Sequence, residues 1–209
     1  MIRKLYALLL LLPAITFGQE LDLGLLENLN IRNVGPANMS GRITAIAVAA
    51  SNPKIIVVGA ASGGVWKSTN GGSAWTPIFD DQPTQNIGAI AIQRDNPEVI
   101  WVGTGEGNPR NSVNLGMGLF KSEDGGKSWT HLGLEATKSI HRILIDPSNP
   151  NTVYIGAHGD PFTPNTQRGL FKTTDGGKHF ERILFTNETS GVADMLMHPE
   201  NPRRIYVAL

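Results

Sequence analysis

The stretch Ser122-Glu123-Asp124-Gly125-Gly126-Lys127-Ser128-Trp129 decides how this chain folds, because its chemistry returns twice. The other copies are Ser68-Thr69-Asn70-Gly71-Gly72-Ser73-Ala74-Trp75 and Thr173-Thr174-Asp175-Gly176-Gly177-Lys178-His179-Phe180. Each reads as a tight turn between two strands: a hydroxyl residue, an Asx acceptor, two glycines free to take positive φ, and an aromatic expected to bury itself. Asn70 stands where the other copies carry Asp124 and Asp175. The shared feature is an acceptor oxygen and not a charge, so the motif reads as a hydrogen-bonded staple rather than a catalytic or metal-binding carboxylate.

A second repeated mark is an Asn-Pro turn at Asn52, Asn96, Asn149 and Asn201. An apolar run precedes each (43–49, 87–93, 140–146, 192–198) and a shorter one follows (55–59, 99–103, 152–156, 205–208), as expected of two strands joined by a turn. A third strand leads into the glycine turn, and the aromatic after that turn begins a fourth. Successive Asn-Pro turns lie 44, 53 and 52 residues apart. Four antiparallel strands at that period predict an all-β fold, a β-propeller of four-stranded blades.

From each glycine turn to the next Asn-Pro there are 28, 27 and 28 residues, whereas from Asn-Pro to the following glycine turn there are 16, 26 and 24. Length variation is therefore confined to the connection between the second and third strands. Connections in a meander alternate between faces, so the two kinds of turn share one face and the elastic loops occupy the other, where binding is expected. Ile31-Arg32-Asn33-Val34 lies in the register of a fourth strand with no first three before it, as a ring-closing strand would. The predicted organisation is a leader at 1–18, a closing outer strand near 31–34, blades near 42–79, 86–133 and 139–185, and a partial blade at 191–209. A ring takes about four to eight blades, so the chain reads as the N-terminal part of a longer protein, with its own remaining blades as partner.

Composition narrows the function. The chain of 209 residues has 18 basic and 18 acidic residues and no basic run, which argues against nucleic acid. The absence of cysteine excludes disulfides and thiolate chemistry. Arg3 and Lys4, the apolar run Leu5–Leu12 and small residues near Gly18 read as a secretory leader too short for a permanent membrane span. A secreted, periplasmic or cell-surface location is expected.

With its turns laid out, the hydroxyl-x-Asx-Gly-Gly-x-x-aromatic element resembles the Asp-box, or bacterial neuraminidase repeat, of sialidases, sortilin-type propellers and xyloglucan-cleaving endoglucanases. Together with the run Val34-Gly35-Pro36-Ala37-Asn38-Met39-Ser40-Gly41-Arg42, it is similar to large secreted bacterial proteins with a sortilin N-terminal-like domain, often labelled glycosyl hydrolase-like. The resemblance implies that Ser68, Asn70, Gly72, Trp75, Ser122, Asp124, Gly126, Trp129, Thr173, Asp175, Gly177 and Phe180 are structural and face away from a ligand. Arg42-Ile43-Thr44 departs from the sialidase Arg-Ile-Pro, and Tyr154 and Tyr206 fall at the position of Trp101, where they read as core.

The two long elastic loops supply the candidate site: Glu106, Asn108 and Arg110 in one, His158 and Asp160 in the next, with Arg42 at the start of an innermost strand. Glu106 and Asp160 are also candidate catalytic residues, since paired carboxylates perform glycoside hydrolysis; the other reading is solvated or ligand-binding carboxylates. Arg42 either binds an anion or satisfies loop carbonyls, and His141 and Asp194 read as polar groups tied into neighbouring blades. His158 has no second histidine at metal spacing, so no metal and no cofactor is expected. The sequence thus predicts a scaffold binding peptide or polysaccharide. The alternatives are a glycoside hydrolase-like enzyme and a purely structural envelope component.

Overall fold

The computed structural model describes residues 42–106 and 113–209. The expected leader, the strand near 31–34, Asn108 and Arg110 lie outside the described residues. The first sheet comprises β1 (Ile43–Val48), β2 (Ile56–Ala60), β3 (Gly64–Ser68) and β4 (Thr76–Pro77). The second comprises β5 (Ile87–Ile92), β6 (Ile100–Thr104), β7 (Leu119–Ser122) and β8 (Thr130–His131). The third comprises β9 (Ile140–Ile145), β10 (Val153–Ala157), β11 (Gly169–Thr173) and β12 (Glu181–Leu184), and β13 (Asp194–His198) pairs with β14 (Asn201–Ala208). Within each sheet the strands pair antiparallel in chain order. One short 3₁₀ turn, Glu135–Thr137, interrupts the link before β9.

The first strands stand side by side, β1 against β5, β5 against β9 and β9 against β13, so they form the inner wall. The core lies between sheets rather than within them. Val57, Val65 and Phe79 of the first blade meet Ile87, Ile100, Val102 and Phe120 of the second. Trp101 and Leu119 then meet Ile140, Val153, Ile155 and Phe171 of the third, and Tyr154 and Leu170 meet Val192 and Met195. This is a β-propeller, of which three blades and half of another are described.

The second strands of the first three blades each carry a glycine one residue before their end, because the next inner strand presses on it. A Cβ at Gly59 would come within 2.5 Å of Ile87, one at Gly156 within 2.7 Å of Val192, and one at Gly103 would run into Ile140. No rotamer change relieves contacts with β-branched atoms so close to the backbone.

The three glycine turns are built alike. The Ser122 hydroxyl donates to Asp124 Oδ1 (2.8 Å) and accepts the Gly126 amide (2.8 Å), while Asp124 Oδ1 accepts the Lys127 and Ser128 amides. Thr173 and Asp175 repeat this, and Asn70 performs the same task by accepting the Ala74 amide at 2.8 Å. The hydrogen bonds to Asp124, led by that from the Ser128 hydroxyl, hold its carboxyl far below the usual range. The Gly71, Gly125 and Gly176 amides donate to the carbonyls of Lys54, Glu98 and Asn151, two residues beyond the Asn of each Asn-Pro turn. Both turn types therefore share one face, as the loop-length pattern predicts. Blades are also latched there, since Lys67 Nζ donates to Gly125 O (3.0 Å) and Lys121 Nζ to Gly176 O (3.4 Å).

Three expectations need correction. The turn aromatic does not start the fourth strand, which begins one residue later, because the ring is drawn onto the preceding blade. Trp129 donates to Ile78 O (2.6 Å) and meets Phe79 edge-on at 4.9 Å. Trp75 is not buried but 39% exposed, and Ile46 is 64% exposed where its counterpart Ile143 is 6%, because no described blade precedes β1. Tyr206 is likewise 53% exposed where Trp101 is 1%, since no described sheet covers the far side of β14.

Ser122→Ala leaves the buried Gly126 amide without its acceptor and should cost about 1–3 kcal/mol in urea unfolding. Asn70→Asp keeps the acceptor oxygen and should change stability by less than about 0.5 kcal/mol.

Candidate functional site

The elastic loops are firmly tied to the blades that carry them. In the second blade, Thr104 Oγ1 donates to Gly118 O (2.6 Å) and the Glu106 amide to Asn114 O (3.0 Å), while Gly105 turns the backbone at φ 89°. Asn114 reaches back to Ser62 Oγ (2.8 Å) in the short loop of the first blade. The Gly116 amide donates to Lys138 O ahead of the third blade (2.7 Å). One loop thereby bridges three blades.

Glu106 is not the solvated carboxylate its loop position suggests. It is 1% exposed and forms an ion pair with Arg42, at the start of the neighbouring inner strand. Arg42 thus takes a role outside both expectations: its guanidinium balances a buried carboxylate. Asp160, in the adjacent loop, accepts the Phe162 amide at 2.9 Å. That bond is the chief cause holding its carboxyl below the usual range, aided by Thr163 and the Arg168 charge and opposed by burial. The direction suits a base or nucleophile and is opposite to that of a general acid.

Sequence reasoning missed Arg168, which is 3% exposed. Its guanidinium donates to four carbonyls: His158 (2.9 Å), Thr189 (3.3 Å), Thr163 (2.7 Å) and Asp160. The corresponding positions in the other blades hold Gly63 and Met117, so the repeat gives no signal for it. Its effect is to fix the 158–168 loop, which displays Phe162 at 63% exposure. His158 stacks on His141 with centroids 4.6 Å apart and planes 9° from parallel. Burial first, and then the Arg168 charge, hold the His158 imidazole below its usual pKa.

Asp194 is tied to the neighbouring blade as expected, through Arg142 Nε at 2.5 Å, yet it is exposed rather than buried. Among the described residues no cluster of three or more His, Asp or Glu could hold a metal ion, and no helix is long and apolar enough to cross a membrane. A cleft of about 260 Å³ lies at the opposite end of the inner strands, between Ala47, Ile92, Arg94, Ile145 and Asp146. Its Asp146 carboxyl already accepts the Ser148 amide and hydroxyl, and the turns around it repeat from blade to blade. The loop face, where the blades differ, is the better candidate.

No protein-family model matches the chain. A probable oligoxyloglucan-reducing end-specific xyloglucanase of Neosartorya fischeri is 37% identical over 71 residues, which is 32% of this chain and 8% of that protein. An ancestral GH74 enzyme superposes with a TM-score of 0.60 at 25% identity, over 77% of this chain and 21% of its own. The Niastella koreensis GH74 enzyme gives 0.61 at 24%, over 78% and 24%. YCF48 bound to D1 peptide gives 0.53 at 13%, over 78% and 47%. The chain spans less than a quarter of the length of the xyloglucanase and GH74 proteins it resembles.

Arg42→Met strands the Glu106 carboxylate in the interior and should cost about 3 kcal/mol, near the low end for a buried pair because Arg42 is 37% exposed. Glu106→Gln removes the buried charge and leaves Arg42, which is partly exposed and can be solvated, so it should cost less. Urea denaturation of both variants checks the order.

Proposed function

We propose that this chain is part of an exported β-propeller that serves as a binding scaffold, holding a peptide or polysaccharide on its variable-loop face. The observation that carries this reading is the contrast between faces. On one side three turns repeat a single hydrogen-bond pattern; on the other, loops of unequal length are anchored in different ways, one at its base by Arg42–Glu106 and the other along 158–168 by Arg168. Fixed, individual loops on a repeated frame are the arrangement binding requires. The glycine turns are Asp-boxes in this reading, and the sortilin-like resemblance and the expected leader at 1–18 support a location outside the cytoplasm. The exposed faces of β1 and β14 receive the remaining blades of the same chain.

Ligand contacts are assigned to Arg42, Asn108, Arg110, His158 and Asp160, with Glu106, buried against Arg42, holding that guanidinium at the base of the site. The similarity to GH74 enzymes and to a xyloglucanase supports a polysaccharide, and YCF48 with its bound peptide supports the peptide alternative. A second reading is a glycoside hydrolase-like enzyme in which Asp160, held ionised, works with a partner carboxylate.

Asp160→Asn and Glu106→Gln discriminate between the readings when assayed against xyloglucan oligosaccharides for binding and for reducing-end release. The scaffold reading expects no turnover in the parent protein and an affinity loss of about tenfold or less in Asp160→Asn. Turnover that Asp160→Asn abolishes, with the fold intact by circular dichroism, establishes the enzyme instead.

A further inference from the structure

The joint between the third blade and β13–β14 differs from the others at one repeated position. Eight residues before each Asn-Pro, the first blade has Thr44, whose hydroxyl donates to Gly59 O (3.1 Å) and to Ile87 O of the next blade (2.7 Å). The second blade has Gly88, where any side chain would strike the carbonyls of Gly105 and Ile140. The third has His141, stacked flat on His158. A titratable pair therefore fills a niche that elsewhere holds a hydroxyl or nothing.

His158 is fixed on both sides of this joint. Its amide donates to Ser139 O (2.9 Å), its carbonyl accepts Arg168 Nη1, and the backbone of Gly191 packs directly on that carbonyl. The Val192 amide donates to Ala157 O (3.0 Å), which ties the lead into β13 to the same spot. Among the charged groups around the stack, Arg168 and Asp160 come from the loop and Arg142 from β9 beside His141. Asp194 comes from β13, and the 185–193 link touches the loop through the main-chain carbonyl of Glu188. The Arg168 guanidinium repels a proton added to His158, and with burial it outweighs the Val192 backbone hydrogen bond that favours one. The Asp194 carboxylate is held by Arg142 and interacts with His141, the other ring of the stack.

We propose that the His141–His158 stack is an acid-sensitive joint: neutral, it clamps the 158–168 loop and β13–β14 to the third blade; protonated, it releases both. The proposal is independent of which ligand the loop face takes. Its direction follows from linkage. The closed joint holds the His158 imidazole below the ordinary 6.5, whereas an opened joint restores that value, so the opened state binds the proton more tightly. The clamp is at full strength above about pH 6.5 and weakens as pH falls below it. Asp194, shifted down from 3.8 chiefly by the hydrogen bond from Arg142, stays ionised across that window.

Hydrogen–deuterium exchange of the 209-residue chain at pH 7.5 and pH 5.0, corrected for intrinsic rates, tests this. Peptides covering 157–169 and 191–199 should exchange faster at pH 5.0, by up to about 30-fold, the limit set by 1.5 pH units. Peptides covering 56–68 should change by less than about twofold. His158→Phe keeps a stacking ring without a titratable nitrogen and should abolish the difference. His158→Asn serves the same purpose should the phenylalanine variant not fold. Equal protection of the parent at both pH values, or an acid response that survives in the folded variant, overturns the proposal.

Discussion

The contact on which this molecule depends is the seating of one blade's inner strand against the glycine next to the end of its neighbour's second strand. Ile87 on Gly59, Ile140 on Gly103 and Val192 on Gly156 set the distance between successive sheets. At that distance Val57, Trp101 and Tyr154 are sandwiched between sheets and the core becomes continuous. A methyl group at the glycine would wedge the sheets apart and expose apolar area on both sides, which at about 25 cal/mol per Å² outweighs any single hydrogen bond nearby. The glycine turns work at a second level, because Gly126 and Gly177 are pressed by Ile78 and Leu132 of the preceding blade while their positive φ is demanded by the turn.

A stiff frame of this kind lets the opposite face vary without loss of fold. Their described parts are anchored: an ion pair between blades holds the base of one loop, and a buried guanidinium serving four carbonyls holds the other. Burying those charges is unfavourable without partners, and here Arg42 faces Glu106 at one site while four carbonyls face the Arg168 guanidinium at the other. The result is a surface whose shape is set locally by each blade, although the blades share one plan.

Most of the frame was legible in the sequence because it repeats. Asn70 beside Asp124 and Asp175 reveals an acceptor and not a charge, and the unequal Asn-Pro to glycine-turn spacings separate the two faces. The second-strand glycines repeat equally, but their role as seats for the next blade is a matter of close approach, a tertiary fact that spacing alone does not carry. The loop face was less legible for the opposite reason: its residues occur once. Nothing in the order of residues distinguishes a solvated Glu106 from one buried against Arg42, or marks Arg168 as the centre of a loop. Trp75 and Tyr206 were assigned to the core by analogy with Trp129 and Trp101, and the analogy fails where no described blade lies alongside.

A double-mutant cycle on Gly103 and Ile140 tests the seating contact most directly. Gly103→Ala should destabilise the parent by about 2 kcal/mol in urea unfolding. In an Ile140→Ala background, where the seat is vacated, the same change should cost less than half as much, a coupling of about 1 kcal/mol or more. Additive effects within about 0.3 kcal/mol would mean that the blades do not interlock at this point, and would contradict the account of how they stack.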